Sequence, residues 1–196
     1  MANASDRELV DKARNGDADA FGVLVRRHQK RIYRLAVHLT KSAAEAEDVT
    51  QETFARAYQA IDRFDGRSEP FTWLYRIAVN LCLNHLRTVK ARGGRPAHED
   101  DPRIEALVAD SAPGRSGDPA TAAHRRRLAE ALAGGVDSLS DTLRTTLILV
   151  CIDGVAHDDA ADILGCPAGT IAWRVHEARR KLKLYLEERG FGGDLE

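Results

Sequence analysis

Apolar residues recur at three- and four-residue intervals along most of this chain, and one proline-rich gap interrupts the pattern. In the first long block the recurring positions are Phe21, Leu24, Val25, Ile32, Leu35, Ala36 and Leu39. Such spacing places apolar side chains on one face of an amphipathic helix. Because no alternating strand pattern accompanies it, the sequence predicts an all-α fold.

Capping and turn signals divide the pattern into helices. Ser5 and Glu8 have the spacing of a capping box, and Gly16 marks the end of the first helix. Further helices are predicted over residues 19–40, 42–64 and 70–91, and after the gap over 123–132, 140–151, 158–164 and 170–188. The predicted organisation is a helical domain at 1–92, a linker at 93–120, a smaller helical domain at 121–190 and a tail at 191–196.

The gap between the two helical blocks predicts a flexible acidic linker. It holds four of the six prolines, and residues 96–120 contain six acidic and two basic side chains. The whole chain, in contrast, has a net charge of -1 over 196 residues, so a polycation that coats nucleic acid is excluded. Any contact with DNA must therefore come from a local basic patch.

The cysteines and the N-terminus predict a cytoplasmic protein. Cys82, Cys151 and Cys166 form no CxxC pair, and we expect buried thiols in a reducing compartment. No signal-peptide pattern precedes the first helix, and no apolar run approaches the roughly 20 residues that span a bilayer. Membrane insertion is not expected.

A helix-turn-helix is predicted from residue 158 onward. Gly165 permits a left-handed helix end, and Thr170 is placed to cap the helix that follows. The outward positions of that second helix are Ala172, Trp173, His176, Glu177 and Arg180. Residues 170–184 hold five bases and one acid, which favours contact with phosphates. The alternative is a solvated basic helix packed in a bundle.

Two polar surfaces are predicted on the first domain. Glu45, Asp48 and Glu52 share one face of the third helix, although a merely solvated acidic face has the same pattern. On the fourth helix a polar stripe suited to a nucleic-acid backbone and base edges contains Arg76, Asn80, Asn84 and Arg87.

Three segments in this order resemble the extracytoplasmic-function sigma factors, the smallest group of the sigma-seventy class. The segment AEDVTQETFARAY is similar to the polymerase-binding helix of their region two, FDGRSEPFTWLYRIAVN to its promoter-melting segment, and GCPAGTIAWRVHEARRKL to region four. The resemblance implies a non-enzymatic factor that directs RNA polymerase core to promoters and melts the DNA.

The resemblance also implies a role for individual residues. The residues implied to dock on the β′ clamp helices of RNA polymerase core are Asp48, Gln51 and Glu52. The residues implied to hold the minus-ten element are Phe64, Asp65, Gly66, Arg67, Ser68, Arg76, Asn80 and Asn84. The residues implied at the minus-thirty-five element are Thr170, Ala172, Trp173, Arg174, Glu177, Arg180 and Lys181.

The implied partners are core polymerase, through its β′ clamp helices and β flap, promoter DNA and an anti-sigma protein. The segment from Ala172 to Arg174 keeps only the arginine of the Lys-Ser-Arg triplet common in this family. Trp173 is expected either to contact a thymine methyl or sugar, or to fold back onto its own domain.

Two other functions compete with this interpretation. The first is a stand-alone helix-turn-helix regulator whose N-terminal domain senses a ligand or dimerises. The second is an enzyme, for which the DDxxD spacing of Asp158, Asp159 and Asp162 is the only trace. We interpret these acids as charges favoured at a helix N-terminus, and we expect neither a metal nor a cofactor.

Overall fold

The computed structural model describes residues 4–93, 101–103 and 119–192. These residues form eight α-helices and contain no strand. The helices are α1 (Asp6–Arg14), α2 (Ala18–Thr40), α3 (Ala43–Gln59), α4 (Pro70–Ala91), α5 (Pro119–Ser138), α6 (Asp141–Leu147), α7 (His157–Leu164) and α8 (Ala168–Glu187). The prediction of an all-α fold in two helical domains is confirmed.

In the N-terminal domain, which comprises α1 to α4, side chains cap the N-termini of α1 and α3. Ser5 and Glu8 form the predicted capping box, and Ser42 accepts a bond from the backbone of Glu45. Helix α4 has the predicted bounds and begins at Pro70, whose fixed φ and missing N–H suit a first helical position. The predicted end of α3 at residue 64 is wrong, because the chain tightens into a 3₁₀ turn at Ile61–Arg63.

In the C-terminal domain, α5 to α8, two predicted helix bounds are wrong. Helix α5 continues past residue 132 through two glycines and ends at Ser138. A Cβ on Gly135 would lie 2.4 Å from Leu182 Cδ1 of α8. Only glycine allows the backbone of α5 to pack this closely on α8. Thr170 does not cap α8, which begins at Ala168 after the extended residue Pro167. Gly165 does take the predicted left-handed conformation, with φ of 62°.

One apolar core joins the two domains. Leu35 and Tyr75 from the N-terminal domain belong to the same buried cluster as Leu149 and Ile171 from the C-terminal domain. Helix α4 packs along α7, the first helix of the predicted helix-turn-helix. Burying each such side chain stabilises the structure by about 1.5–3 kcal/mol. The polymerase and promoter surfaces implied by the resemblance therefore lie on helices that pack around this core.

The predicted burial of all three cysteines is also wrong. Of the three cysteines only Cys82 is buried, whereas Cys151 is exposed and Cys166 lies half-buried. Cys151 lies within a π-helical turn, Ile148–Ile152, which changes the face that a straight α-helix would have buried.

Candidate functional site

The acidic face of α3 is open to solvent. Asp48, Gln51 and Glu52 are all exposed, while the inward residues Val49 and Thr53 are buried. The Thr53 hydroxyl donates to the Val49 carbonyl at 2.7 Å, which satisfies the polar group that this face buries. Helical spacing thus puts two carboxylates and an amide on one surface, with the chemistry to receive a basic partner.

The loop between the 3₁₀ turn and α4 has a defined shape. Asp65 Oδ1 accepts a bond from the Arg67 backbone N–H at 3.0 Å, and Gly66 between them has φ of 72°. Arg7 of α1 donates to the Gly66 carbonyl at 3.2 Å and pairs with Glu69 at 2.8 Å. The Arg67 side chain is 90% exposed. The loop therefore presents polar groups on a fixed backbone.

Sequence reasoning missed Arg7 as the anchor of this loop. Its partners lie 59 and 62 residues away, and no local spacing signals such a contact. The Arg7 bond also lowers the pKa of the Glu69 carboxyl, because it favours the charged form. Phe64, which the resemblance implied at the minus-ten element, is 6% exposed and its ring packs against Trp73. Its ring faces the core in this structure.

The polar stripe of α4 is exposed along three successive turns. Arg76, Asn80 and Asn84 point away from a buried face that includes Ala78 and Cys82. Asn84 Oδ1 accepts a bond from Arg87 at 3.1 Å. Guanidinium and amide groups in this order offer donors to phosphate and both donors and acceptors to base edges.

This stripe faces the C-terminal domain across an open groove of about 650 Å³. Arg76 and Asn80 line one wall, and residues 161–167 line the other. That second wall is the end of α7 and the turn of the helix-turn-helix. Two surfaces expected to contact different promoter elements therefore lie next to each other.

The start of α8 presents a tryptophan and a guanidinium. Trp173 is 62% exposed, so it does not pack in the core of its domain. Arg174 is half-buried and its Nη1 lies 3.5 Å from Cys166 Sγ. Ile171, Val175 and Ala178 form the buried stripe of this helix, as the periodicity predicted. The exposed indole offers apolar surface next to a cation.

Farther along α8 the basic patch is partly neutralised. Glu177 accepts two bonds from Arg180, at 2.8 and 2.9 Å, and lies 3.9 Å from Lys181. The hydrogen bond from Arg180 lowers the pKa of the Glu177 carboxyl, so this acid is ionised at neutral pH. The outward face of α8 therefore has less unpaired positive charge than the five bases of residues 170–184 suggest.

Within the described residues, no group of three His, Cys, Asp or Glu side chains could hold a metal ion. Asp159 of the DDxxD segment accepts a bond from Thr72 of α4 at 3.1 Å, whereas Asp158 and Asp162 are exposed. None of the helices in this part of the chain is long and apolar enough to cross a membrane.

Two family descriptions match the chain. Residues 24–92 match "Sigma-70 region 2", and residues 129–182 match "Sigma-70, region 4". The RNA polymerase sigma-H factor of Pseudomonas aeruginosa is 35% identical over 195 residues, which cover 95% of this chain and 96% of that protein. The ECF RNA polymerase sigma-E factor of Escherichia coli K12 is 36% identical over 180 residues, 91% of this chain and 92% of that protein.

Two solved structures are similar across both domains. CnrH, in complex with the cytosolic domain of CnrY, has a TM-score of 0.68 at 26% identity, covering 94% of this chain and 99% of CnrH. RpoE from Bartonella quintana, in complex with the anti-sigma factor NepR, has a TM-score of 0.57 at 26% identity, covering 84% of this chain and 93% of RpoE.

Proposed function

Because the chain belongs to the sigma-70 family, as an extracytoplasmic-function (ECF) sigma factor, we propose that three exposed surfaces contact three different partners. These partners are core polymerase, the minus-ten element and the minus-thirty-five element. The protein directs RNA polymerase core to specific promoters, recognises the minus-ten and minus-thirty-five elements and melts DNA. Sigma factors are transcription initiation factors, and we infer no catalysis by this chain. The proposed limits are 1–92 for region 2, 93–120 for the linker and 121–190 for region 4.

The exposed face of α3 is the proposed dock for core polymerase. Asp48, Gln51 and Glu52 would lie on the basic β′ clamp helices, where opposite charge steers the encounter and fixes its register. Exposure of all three side chains supports this assignment. On the C-terminal domain, region 4 would meet the β flap, and the acidic linker would follow the RNA path of the polymerase.

The single observation that carries the promoter-melting role is the exposed stripe of α4 beside the fixed loop at 65–68. Arg76, Asn80 and Asn84 would hold the non-template strand of the minus-ten element, while Asp65 and Arg67 would contact a base flipped from the stack. Flipping costs a few kcal/mol, which such contacts offset. With Phe64 buried, the polar groups of the loop carry this contact.

The start of α8 is the proposed reader of the minus-thirty-five element. Trp173 and Arg174 would enter the major groove, where an indole suits a thymine methyl and a guanidinium suits a guanine or a phosphate. Thr170 and Ala172 flank them, whereas Glu177 restrains Arg180 and Lys181. We propose that base-specific contacts are confined to the first two turns of this helix.

An anti-sigma protein is the proposed regulatory partner. The similar proteins CnrH and RpoE were solved in complex with the cytosolic domain of CnrY and the anti-sigma factor NepR. A stand-alone helix-turn-helix regulator is not favoured, because the N-terminal helices match sigma region 2 rather than a sensor domain.

Equilibrium binding to core polymerase tests the proposed dock. We expect a variant with Asp48→Lys and Glu52→Lys to bind purified core at least about 100-fold more weakly, because like charges facing each other cost several kcal/mol. The matched control is Asp11→Lys with Asp19→Lys, which reverses two exposed acids on α1 and α2. If the first variant keeps its helical content and binds core with unchanged affinity, α3 is not the surface that binds core polymerase.

A further inference from the structure

Arg7 of α1 binds both the corner and the end of the loop that precedes α4. Its Nη1 donates to the Gly66 carbonyl at 3.2 Å, and its Nε and Nη2 donate to Glu69 Oε1 at 3.1 and 2.8 Å. Gly66 forms the corner of the loop, with φ of 72°, and Glu69 is the N-cap residue of α4. One guanidinium therefore ties the corner of the loop to the start of the helix that follows.

The Glu69 carboxylate does not cap α4, although this residue stands at the N-cap position. A side chain at that position ordinarily accepts a bond from a backbone N–H of the first helical turn. Here both carboxylate oxygens accept bonds from Arg7 instead. Because Arg7 belongs to a different helix, the contact fixes the direction in which the chain enters α4, the helix whose exposed stripe includes Arg76 and Asn80.

Helix α1 is held in place without Arg7. Leu9 is fully buried in the core, and Asp6 accepts a bond from Arg27 of α2 at 2.8 Å. The Arg7 and Glu69 side chains, in contrast, are 52% and 59% exposed. An ion pair between such exposed side chains adds little to the stability of a domain. The effect of this pair is therefore local, on the conformation of the loop.

We infer that Arg7 is a positioning residue for the minus-ten surface, because it holds the loop at 65–69 in a fixed position relative to the stripe of α4. The inference rests on the proposed function of this loop and stripe. It adds to them a helix that lies outside the segment matched to region 2, which begins at residue 24. A loop that is ordered before DNA arrives spares the complex the cost of ordering it.

Two simpler roles for this ion pair predict different results. If Arg7 contacted a DNA phosphate, its loss would reduce the slope of log affinity against log salt by about 0.7 for single-stranded DNA. If Arg7 only neutralised Glu69, removing the carboxylate as well would restore binding, because the repulsion between like charges would be gone. Positioning predicts an unchanged slope, and it predicts that loss of either partner has the same effect as loss of both.

Amide hydrogen exchange in the full free chain tests the positioning without DNA. We expect Arg7→Gln and Glu69→Gln each to speed exchange at residues 66–69 about three- to tenfold, because the loop opens more often once the pair is lost. The most informative amide is that of Arg67, which donates to Asp65 at 3.0 Å. Amides of α1 should keep their protection, since its apolar side chains stay buried. Unchanged exchange at 66–69 would overturn the inference.

Binding of single-stranded DNA by the chain in complex with core polymerase tests the consequence. The probe is an oligonucleotide library with six randomised positions, and sequencing of the bound fraction gives the base preference at each position. The position that the loop reads is the one whose preference Arg67→Ala abolishes. We expect Arg7→Gln to weaken the preference at that position at least about threefold, and Glu69→Gln to do the same although it removes a negative charge. The double variant should lose no more than either single variant.

The matched control is Arg14→Gln, which removes a guanidinium from an exposed position of the same helix. It should change neither the exchange rates nor the base preferences. Full preference in Arg7→Gln, a lower salt slope or recovery in the double variant would overturn the inference. A wild-type complex that prefers no base at any position would refute the proposed minus-ten surface and, with it, the role of Arg7, even if exchange shows that Arg7 orders the loop.

Discussion

Arg180 donates two hydrogen bonds to Glu177 on the outward face of α8, one to each carboxylate oxygen. In the proposed contact with promoter DNA, this pair would compete with a phosphate for the Arg180 guanidinium. Lys181 Nζ lies 3.9 Å from Glu177 Oε1, which is within ion-pair distance but beyond hydrogen-bond distance. We therefore expect Glu177 to reduce the positive charge that α8 offers to the duplex.

Glu177→Gln should strengthen binding of promoter duplex by the core complex several-fold. The neutral amide releases Arg180 for phosphate contact, so the slope of log affinity against log salt should steepen by about 1. Titration of labelled duplex over a range of salt concentrations measures both quantities. Glu187→Gln, at an exposed acid near the end of the same helix, is the control. An unchanged slope would mean that Arg180 does not face DNA.

Arg174→Ala should weaken promoter use and spare core binding. Loss of one guanidinium at a base edge or phosphate costs about 1–3 kcal/mol, or about 5- to 150-fold in promoter affinity. Arg179→Ala on another face of α8, beside Cys151, is the matched control and should have a smaller effect. Equal promoter output from wild type and Arg174→Ala would show that the DNA face of α8 is misassigned.

Arg76→Ala with Asn80→Ala should reduce stable open complexes on duplex promoters at least about tenfold, because the lost contacts no longer offset the cost of flipping bases. A template already unpaired at the minus-ten element removes that cost and should restore most of the activity. Permanganate reactivity of unpaired thymines measures the melting. Arg14→Ala, an exposed arginine on α1, serves as control. A defect of equal size on the unpaired template would argue against a role in melting.

Several helices could be predicted from sequence because their signals are local. The bounds of α4 follow from Pro70 at its first position and from the helical recurrence of Leu74 and Ala78. Likewise, Gly165 marked the end of α7 through its left-handed conformation. The exposed acidic face of α3 and the exposed stripe of α4 depend on three- and four-residue spacing, which a sequence displays directly.

Features that depend on distant residues could not be predicted in this way. Gly134 and Gly135 lie within α5 rather than at its end, and Tyr185 and Leu182 of α8 occupy the space that a Cβ at these two positions would need. Asp153 meets Arg34 across 119 residues of sequence, and Arg7 meets Glu69 across 62. Such contacts depend on how whole helices pack, and no local sequence pattern predicts them. The burial of Phe64 against Trp73 belongs to the same class.

The three thiols should differ widely in reactivity. Burial raises the pKa of Cys82 from 9.0 to about 12, which lowers its thiolate fraction about a thousand-fold at neutral pH. Cys151 is exposed, with Arg179 3.3 Å from its sulfur. A disulfide reagent should therefore modify Cys151 first and Cys82 only after unfolding. Cys151→Ser should remove the fast phase and Cys82→Ser should retain it. Rapid modification of Cys82 in the folded chain would contradict its burial.

In vitro transcription on random promoter fragments measures whether this chain initiates transcription with core polymerase. Purified core with the wild-type chain should give transcripts that core alone does not, and Asp48→Lys with Glu52→Lys should abolish them. The chain without core should bind duplex weakly. Absence of chain-dependent transcripts, together with specific duplex binding by the free chain, would show that the chain is not a sigma factor.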